Sequence, residues 1–384
     1  MREENVMEKI IVVGAGLSGA TIARLFAESG KDVTVLDKRA TLGGNAYDYV
    51  DKNGIRIQPY GPHIFHTEDE EVFGFLSRFT EWNKYEHKVL AKVKGKLVPV
   101  PFNFKSLELC FPKDKAERIK KILSEEIGEG ESVSILTLKN HENPEIRAFA
   151  EFVYKNIYYK YTKKQWGMRP EEIGVKVINR IPVCVSEKCG YFTDKYQFMP
   201  KNGFSEMVNN ILRHPRIKLK LKTDAAKLIA LDNGKIYYKG KEFEGTVVFT
   251  GRVEELFGYR YGALPYRTLK FKMKTYNKPS VQRAAVVNFT ASHRYTRVSE
   301  FTKFTCEKRD KSVVMKEYPK KCRKNSGKPY YPVPTAANLE RYKKYEAEAA
   351  GYKNLRLLGR LAKYEYINMD EAVKKAIELF EDTE

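Results

Sequence analysis

Cysteine, histidine and tryptophan are scarce in this chain, and long apolar runs are missing. The 384 residues include five cysteines (Cys110, Cys184, Cys189, Cys306, Cys322), odd in number, scattered and without C-x-x-C spacing. They suggest neither a disulfide framework nor a zinc site. The six histidines show no metal-ligand spacing, so no metal is expected. No run of about 18 apolar residues offers a transmembrane helix. The opening MREENVMEKIIVVGAG lacks the apolar core and cleavage site of a signal peptide. A soluble, cytoplasmic protein without stable membrane insertion is the expectation.

Acidic residues are also in deficit. Against 70 Lys+Arg stand 49 Asp+Glu, a net charge of +21. Such a balance attracts polyanions: nucleic acid, an anionic membrane surface or a phosphorylated substrate. The excess is spread along the chain and is densest over 308–328, where nine basic residues meet only Asp310 and Glu317. That run reads as a solvated face, a docking patch or a contribution to an anionic cleft. Basic residues nowhere take a recognition-helix or RNP-like arrangement, which argues against a nucleic-acid partner. Tyrosine, by contrast, is abundant. With 25 Tyr and 21 Phe, the chain suits a wide polar cleft in which rings pack on one side and hydrogen-bond on the other. Its length and 42% hydrophobic content predict two or three compact units.

The β-branched run from Lys9 leads into Gly14-Ala15-Gly16-Leu17-Ser18-Gly19, a helical pattern to Ser29, and a second apolar run ending at Asp37. This is the strand–turn–helix–strand unit of a doubly wound α/β fold. Gly14 allows the tight turn, Gly16 lets a pyrophosphate approach the helix N-terminus, and Gly19 permits close helix–strand packing. Asp37, at the strand end, is placed to accept from ribose hydroxyls. Arg39 and Gly43-Gly44-Asn45 follow at once, an Arg…GG element typical of flavoproteins of the glutathione-reductase type. Far downstream, Gly359-Arg360 and then Asn368-Met369-Asp370 open another helix, whose N-terminus would stabilise negative charge on a flavin ring. FAD is therefore the expected cofactor. Between these elements, Ile146, Phe149, Val153 and Ile157 recur at helical spacing as a core-facing stripe, and Asp232-Asn233-Gly234 predicts a hairpin turn. Alternation over 88–107, a turn at Gly359-Arg360 and strands through 269–273, 284–289 and 312–316 complete the reading.

Several further motifs are more specific. They are GPHIFHT at 61–67, YTKKQWG at 161–167, Asn179-Arg180 ahead of Ile181-Pro182, and YFTDKYQFMP at 191–200. VVNFT at 286–290, YTR at 295–297, EYP at 317–319 with PYYPV at 329–333, and GRLAKYEYINMD at 359–370 follow in order. Over nearly its whole length the chain thereby resembles the UDP-galactopyranose mutase family. The resemblance implies an isomerase that interconverts UDP-galactopyranose and UDP-galactofuranose through a covalent adduct of the sugar with N5 of reduced FAD, without net redox change. Such an enzyme supplies galactofuranose for cell-surface polysaccharide and is expected to be a homodimer.

The same resemblance assigns roles. Arg180 and Arg297 bind the diphosphate, with Tyr191, Tyr331 and Tyr366 beside it. Ile157, Tyr158, Tyr161, Thr162 and Trp166 form the uridine site. His63 lies at the flavin–sugar junction, and His87 and Asn288 in the sugar site. Cofactor contacts are implied for Leu17, Ser18, Lys38, Gly43, Gly44, Asn45, Ile64, Asp224, Gly359, Arg360, Asn368 and Met369. The chain departs from the pattern at Ile157, where many members carry an aromatic, at Asn368, where many carry Asp, at Leu17 and Lys38, and at 291–294.

The fold expected is α/β: a discontinuous FAD-binding Rossmann-like unit with a parallel sheet (1–87 with 203–260 and 350–384). An inserted helical domain (105–175) and a twisted antiparallel-sheet substrate domain (88–104 with 176–202 and 261–349) complete it. Two other readings stay open on the residues alone. One is a flavin amine oxidase or desaturase of the same superfamily; the other is a basic nucleic-acid-binding protein with a vestigial FAD fold.

Overall fold

Lys9–Val13 forms the central strand of a five-stranded parallel sheet. Its spatial order is Ile217–Lys220, Asp32–Leu36, Lys9–Val13, Thr246–Phe249, Leu355–Leu357. The computed structural model describes residues 8–173, 178, 181–188, 190–305, 309–322 and 328–384. Strands Lys9–Val13 and Thr246–Phe249 are almost wholly buried, as parallel strands covered on both faces must be. Helix Leu17–Glu28 packs against helices Phe204–Leu212 and Met369–Glu381, with Phe26 meeting Phe380 edge-on at 5.4 Å. Strand and helix approach so closely that a Cβ on Gly19 would stand 2.0 Å from the Gly14 carbonyl oxygen.

A second sheet has seven strands in the order Tyr331–Pro332, Tyr266–Tyr276, Ser312–Lys321, Arg297–Glu300, Val286–Phe289, Val89–Val93, Lys96–Val100. It is antiparallel except where Val286–Phe289 runs parallel to Val89–Val93. That pair amends the expectation of a purely antiparallel sheet: Val89–Val93 joins through a long excursion of the chain, and no hairpin dictates its direction. Strand alternation sorts the side chains into two sets. Val89, Ala91, Val286, Asn288, Arg297 and Glu317 share one face; Lys92, Val287, Phe289, Val298 and Lys316 share the other.

The helical layer carries the stripe Ile146, Phe149 and Val153 inward on helix Pro144–Val153. Proline stands in its first turn, and the Asn143 side chain accepts from the Glu145 N–H. At Tyr154–Tyr159 the winding widens into a π-helical turn before Lys160–Trp166, which ends at Gly167 in the left-handed region. Such turns occur where an α-helix is locally re-aimed, often at functional sites.

Other local readings meet the structure unevenly. Asn233 (φ +46°) and Gly234 (φ +77°) make the primed turn that joins Ile229–Asp232 to Lys235–Tyr238. The alternation read over 88–107 stops at Phe102. From Phe104 to Cys110 the chain is helical, started by the Asn103 side chain accepting from the Ser106 N–H. Gly359-Arg360, read as a turn, opens the short helix Gly359–Ala362. Cys184 is disulfide-bonded, which the scattered spacing of the cysteines did not suggest. Among the described residues, no helix is long and apolar enough to cross a membrane.

Candidate active site

A long groove runs along the C-terminal edge of the parallel sheet, where doubly wound folds bind ligands. It is lined by the Gly14–Gly19 turn, Asp37, Lys38, Gly43, Gly44, Asn45, Asp224, Gly359, Arg360, Asn368 and Met369. Asp37 orders the turn itself. One carboxylate oxygen accepts from the Ala15 N–H at 2.8 Å and the other from Arg39 N–H at 2.7 Å. Helix Leu17–Glu28 starts without a side-chain cap, so its first N–H groups remain for an anion. A Cβ on Gly14 would collide with Thr250 Oγ1 at 2.1 Å, so the backbone there can only be glycine. The opposite end of the groove is closed by helix Met369–Glu381. Asn368 and Glu371 form a capping box there, and Asn368 and Met369 reach both this groove and the next cavity.

That next cavity joins the groove at His63 and Arg360 and is lined further by Ile64, His66, His87, Tyr191, Arg297, Tyr331 and Tyr366. The Gly61 carbonyl can only accept, so His63 donates to it from Nδ1 at 2.8 Å and keeps a lone pair on Nε2. Gln58 clamps the His63 backbone, its Nε2 donating to the His63 carbonyl at 3.2 Å and its Oε1 accepting from the His63 N–H. Burial pushes the His63 pKa down to about 4, and burial with the nearby Arg297 charge pushes His87 to about 3. Both rings are neutral at physiological pH. Arg360 donates to the carbonyls of Tyr330 and Ile367 and lies 5.8 and 5.3 Å from the Tyr331 and Tyr366 ring centres.

A third cavity continues from the second, sharing Tyr191, Arg297, Tyr331 and Tyr366. Ile157, Tyr158, Tyr161, Thr162, Trp166 and Asn288 complete its wall. The π-turn brings Ile157 and Tyr158 here, and the following helix brings Trp166 to 5.9 Å from Tyr331 and 6.2 Å from Tyr366. Arg297 stands half-buried where the two cavities meet, with its Nε shielded from solvent. Burial works against its charge, but the Tyr161 hydroxyl (3.2 Å from Nη2) and the Glu317 carboxyl opposite it in the sheet hold its pKa well up. Arg297 Nε and Asn288 Oδ1 are buried without a protein partner. Unsatisfied polar atoms facing a cavity point to a polar ligand.

The sequence model of the UDP-galactopyranose mutase family matches residues 156–366, and a model of NAD(P)-binding Rossmann-like domains matches 12–79. The chain is 36% identical to the dTDP-fucopyranose mutase of Escherichia coli, covering 97% of each protein. It is 35% identical to the UDP-galactopyranose mutase of Mycoplasma genitalium over 96% of this chain and 93% of that one. The chain belongs to the UDP-galactopyranose mutase family. A crystal structure of reduced UDP-galactopyranose mutase shares the fold at a TM-score of 0.74, with 16% identity over 98% of this chain and 94% of that one. Similarity to a flavin-containing amine oxidase reaches only 25% of the chain, so the amine-oxidase reading does not hold.

FAD is the cofactor of this family member, and the groove fits it: free helix N–H groups for the pyrophosphate, Asp37 for the ribose, and a second helix N-terminus at the far end. Every expected cofactor residue lines this groove except Ile64, which faces the adjoining cavity. Arg180, expected on the diphosphate, lies outside the described residues, as does part of the basic run (308 and 323–327). Sequence reasoning missed four residues. Gln58 fixes His63. His66, within GPHIFHT, stacks on Phe192 at 3.7 Å and meets Asp194 at 3.1 Å. Gln165 and Glu317 flank the Arg297 charge from within motifs quoted for other residues.

The neutral histidines set a pH dependence. In the unfolded chain they take up protons near pH 6.5, whereas in the fold they resist protonation down to about 4 and 3. Their contribution to stability is complete above pH 6.5 and declines as the pH falls below it. The melting temperature of the wild type should therefore drop between pH 6.5 and 4 more steeply than that of His87→Asn. Parallel curves for the two proteins would show that His87 is not held neutral.

Proposed function

We propose that the protein interconverts UDP-galactopyranose and UDP-galactofuranose. The observation that carries this reading is the half-buried Arg297 guanidinium, with its shielded, unpartnered Nε, where the aromatic cavity meets the one that joins the flavin groove. Reduced FAD, when bound, supplies the nucleophilic nitrogen that takes the sugar from the nucleotide. The chain's own residues do the rest. Tyr158, Thr162 and Trp166 hold the base against an aromatic and apolar wall, with Ile157 narrowing it. Arg297, joined by Arg180 on the family motif, grips the diphosphate and offsets charge as the nucleotide departs. Tyr191, Tyr331 and Tyr366 donate to the same phosphates. His63, neutral and fixed through Gly61 and Gln58, presents Nε2 at the junction without adding a competing cation. His87 and Asn288 orient the sugar, and the closed aromatic surround excludes water from it. A UDP-sugar partner, the absence of a nucleic-acid partner, cytoplasmic location and homodimeric assembly belong to the same reading and rest on the family.

A second reading is favoured by the 36% identity to the Escherichia coli dTDP-fucopyranose mutase, beside 35% to the Mycoplasma genitalium UDP-galactopyranose mutase. Both substrates place a pyrimidine nucleoside diphosphate on a hexose, so the same clamp serves either. Reduced protein incubated with UDP-galactofuranose or with dTDP-fucofuranose, and followed by chromatography of the nucleotide sugars, separates them. The higher kcat/KM is expected for UDP-galactofuranose, with no stoichiometric loss of reductant and no turnover by oxidised protein. A preference for the dTDP-sugar selects the second reading, and equal turnover by oxidised protein removes both.

The clamp has its own test. Arg297→Ala should lose about 30- to 1000-fold in turnover while retaining its FAD, the cost of removing a charge-assisted partner from a developing anion. Arg297→Lys should recover only part of this, since an ammonium lacks the bidentate fork. Near-normal turnover by Arg297→Ala would take the diphosphate away from this residue.

A further inference from the structure

The positive charge of this chain is far greater than one diphosphate requires, and the seven-stranded sheet gathers part of it on the face turned away from the cavities. Alternation along Tyr266–Tyr276 places Lys270, Lys272 and Lys274 on that face, and along Ser312–Lys321 it adds Lys316 and Lys320. Lys92, two strands beyond Arg297–Glu300, lies on the same side beside Phe289. Among the described residues none of these six lysines is in an ion pair. Elsewhere on the protein Lys120, Lys195, Lys201 and Lys374 each meet a carboxylate.

Lys272 and Lys316 stand directly opposite in the register. Like charges so placed destabilise a sheet. Carboxylates do little to relieve them. Glu317 points to the cavity side, and Glu300, fully buried, spends its oxygens on the N–H groups of Val281 and Gln282 at 3.0 Å. What accompanies the lysines instead is aromatic. Lys272 lies 5.7 Å from the Tyr318 ring centre, Lys274 4.9 Å from Tyr276, Lys316 4.9 Å from Tyr295 and Lys92 5.9 Å from Phe289.

We propose that this face docks the protein peripherally on an anionic lipid bilayer. The charge calls for an anionic occupant, and the shape favours a broad one. Lys270, Lys272, Lys274 and Lys320 are exposed along two neighbouring strands, a flat array unlike the projecting helix or ribbon that enters a nucleic-acid groove. Lysine is a hydrated point charge suited to diffuse headgroup attraction, without the fork by which arginine reads phosphates and bases. Tyrosine is the residue type that settles at a membrane–water boundary. The nucleotide cavity is on the opposite face of the same sheet, so docking leaves it uncovered. The inference stands apart from the choice of sugar or nucleotide.

Flotation of the FAD-loaded protein with vesicles tests it. Vesicles of mixed phosphatidylglycerol and phosphatidylcholine should carry the protein, neutral phosphatidylcholine vesicles should not, and high salt should release it. The triple variant Lys270→Gln, Lys272→Gln, Lys316→Gln should bind at least about 100-fold more weakly, at roughly fivefold per lysine near a charged surface. Its FAD content and turnover in solution should match the wild type, because these side chains do not reach the cavities. Lys113→Gln, Lys115→Gln, Lys121→Gln, on an exposed helix elsewhere, should keep most of the binding. Absence of flotation, equal flotation on neutral vesicles, or equal loss in both triple variants would overturn the proposal. So would duplex DNA that binds through the same lysines more tightly than the vesicles do.

Discussion

Arg297 keeps its charge inside the protein because the sheet register sets Glu317 across from it and Tyr161 accepts from its Nη2. Desolvation there works against the charge, and Tyr161 and Glu317 offset it. The architecture around the site follows from keeping this group charged and one edge of it open. Arg297 and Glu317 come from adjacent strands, so a slip of either strand by one residue would turn its own member of the pair to the opposite face. Tyr161 comes from a different layer, carried by the helix that follows the π-turn. The second sheet and the helical layer are thus tied to each other at one cation, and that cation lines the cavity that joins the flavin groove.

The two faces of the second sheet divide the electrostatics. The inner face sets the Arg297 guanidinium among tyrosines and neutral histidines, in surroundings where each charge interacts strongly. Its histidines are kept neutral by burial, so an arriving anion meets a defined cation rather than a diffuse one. The outer face carries lysines that, among the described residues, make no ion pair, and attraction there is weaker, broad and sensitive to salt. One strand, Ser312–Lys321, serves both, with Glu317 inward and Lys316 outward.

Legibility in the sequence followed the range of the interactions. The glycine turn, the acid at the end of the second strand and the Asn233-Gly234 hairpin are short-range features, dictated by backbone geometry within a few residues, and they read directly. The helical stripe read correctly to Val153, but periodicity could not foresee the wider winding that turns Ile157 and Tyr158 toward the cavity. The gathering of residues 157–166, 191, 288–297, 331 and 366 around one cavity has no local signature, and only the resemblance to a family placed them together. Gln58 and Glu317 escaped notice because their roles are to hold His63 and Arg297, and nothing in their own neighbourhood announces that. The parallel pairing of Val286–Phe289 and the disulfide at Cys184 are likewise products of tertiary context.

The most direct test of the account is a crystal structure of the reduced, FAD-loaded protein with UDP. The account predicts the diphosphate within hydrogen-bonding distance of Arg297 Nε, the uracil against Tyr158 and Trp166, and His63 between the nucleotide cavity and the flavin. UDP bound elsewhere, with Arg297 still facing only Tyr161 and Glu317, would contradict it.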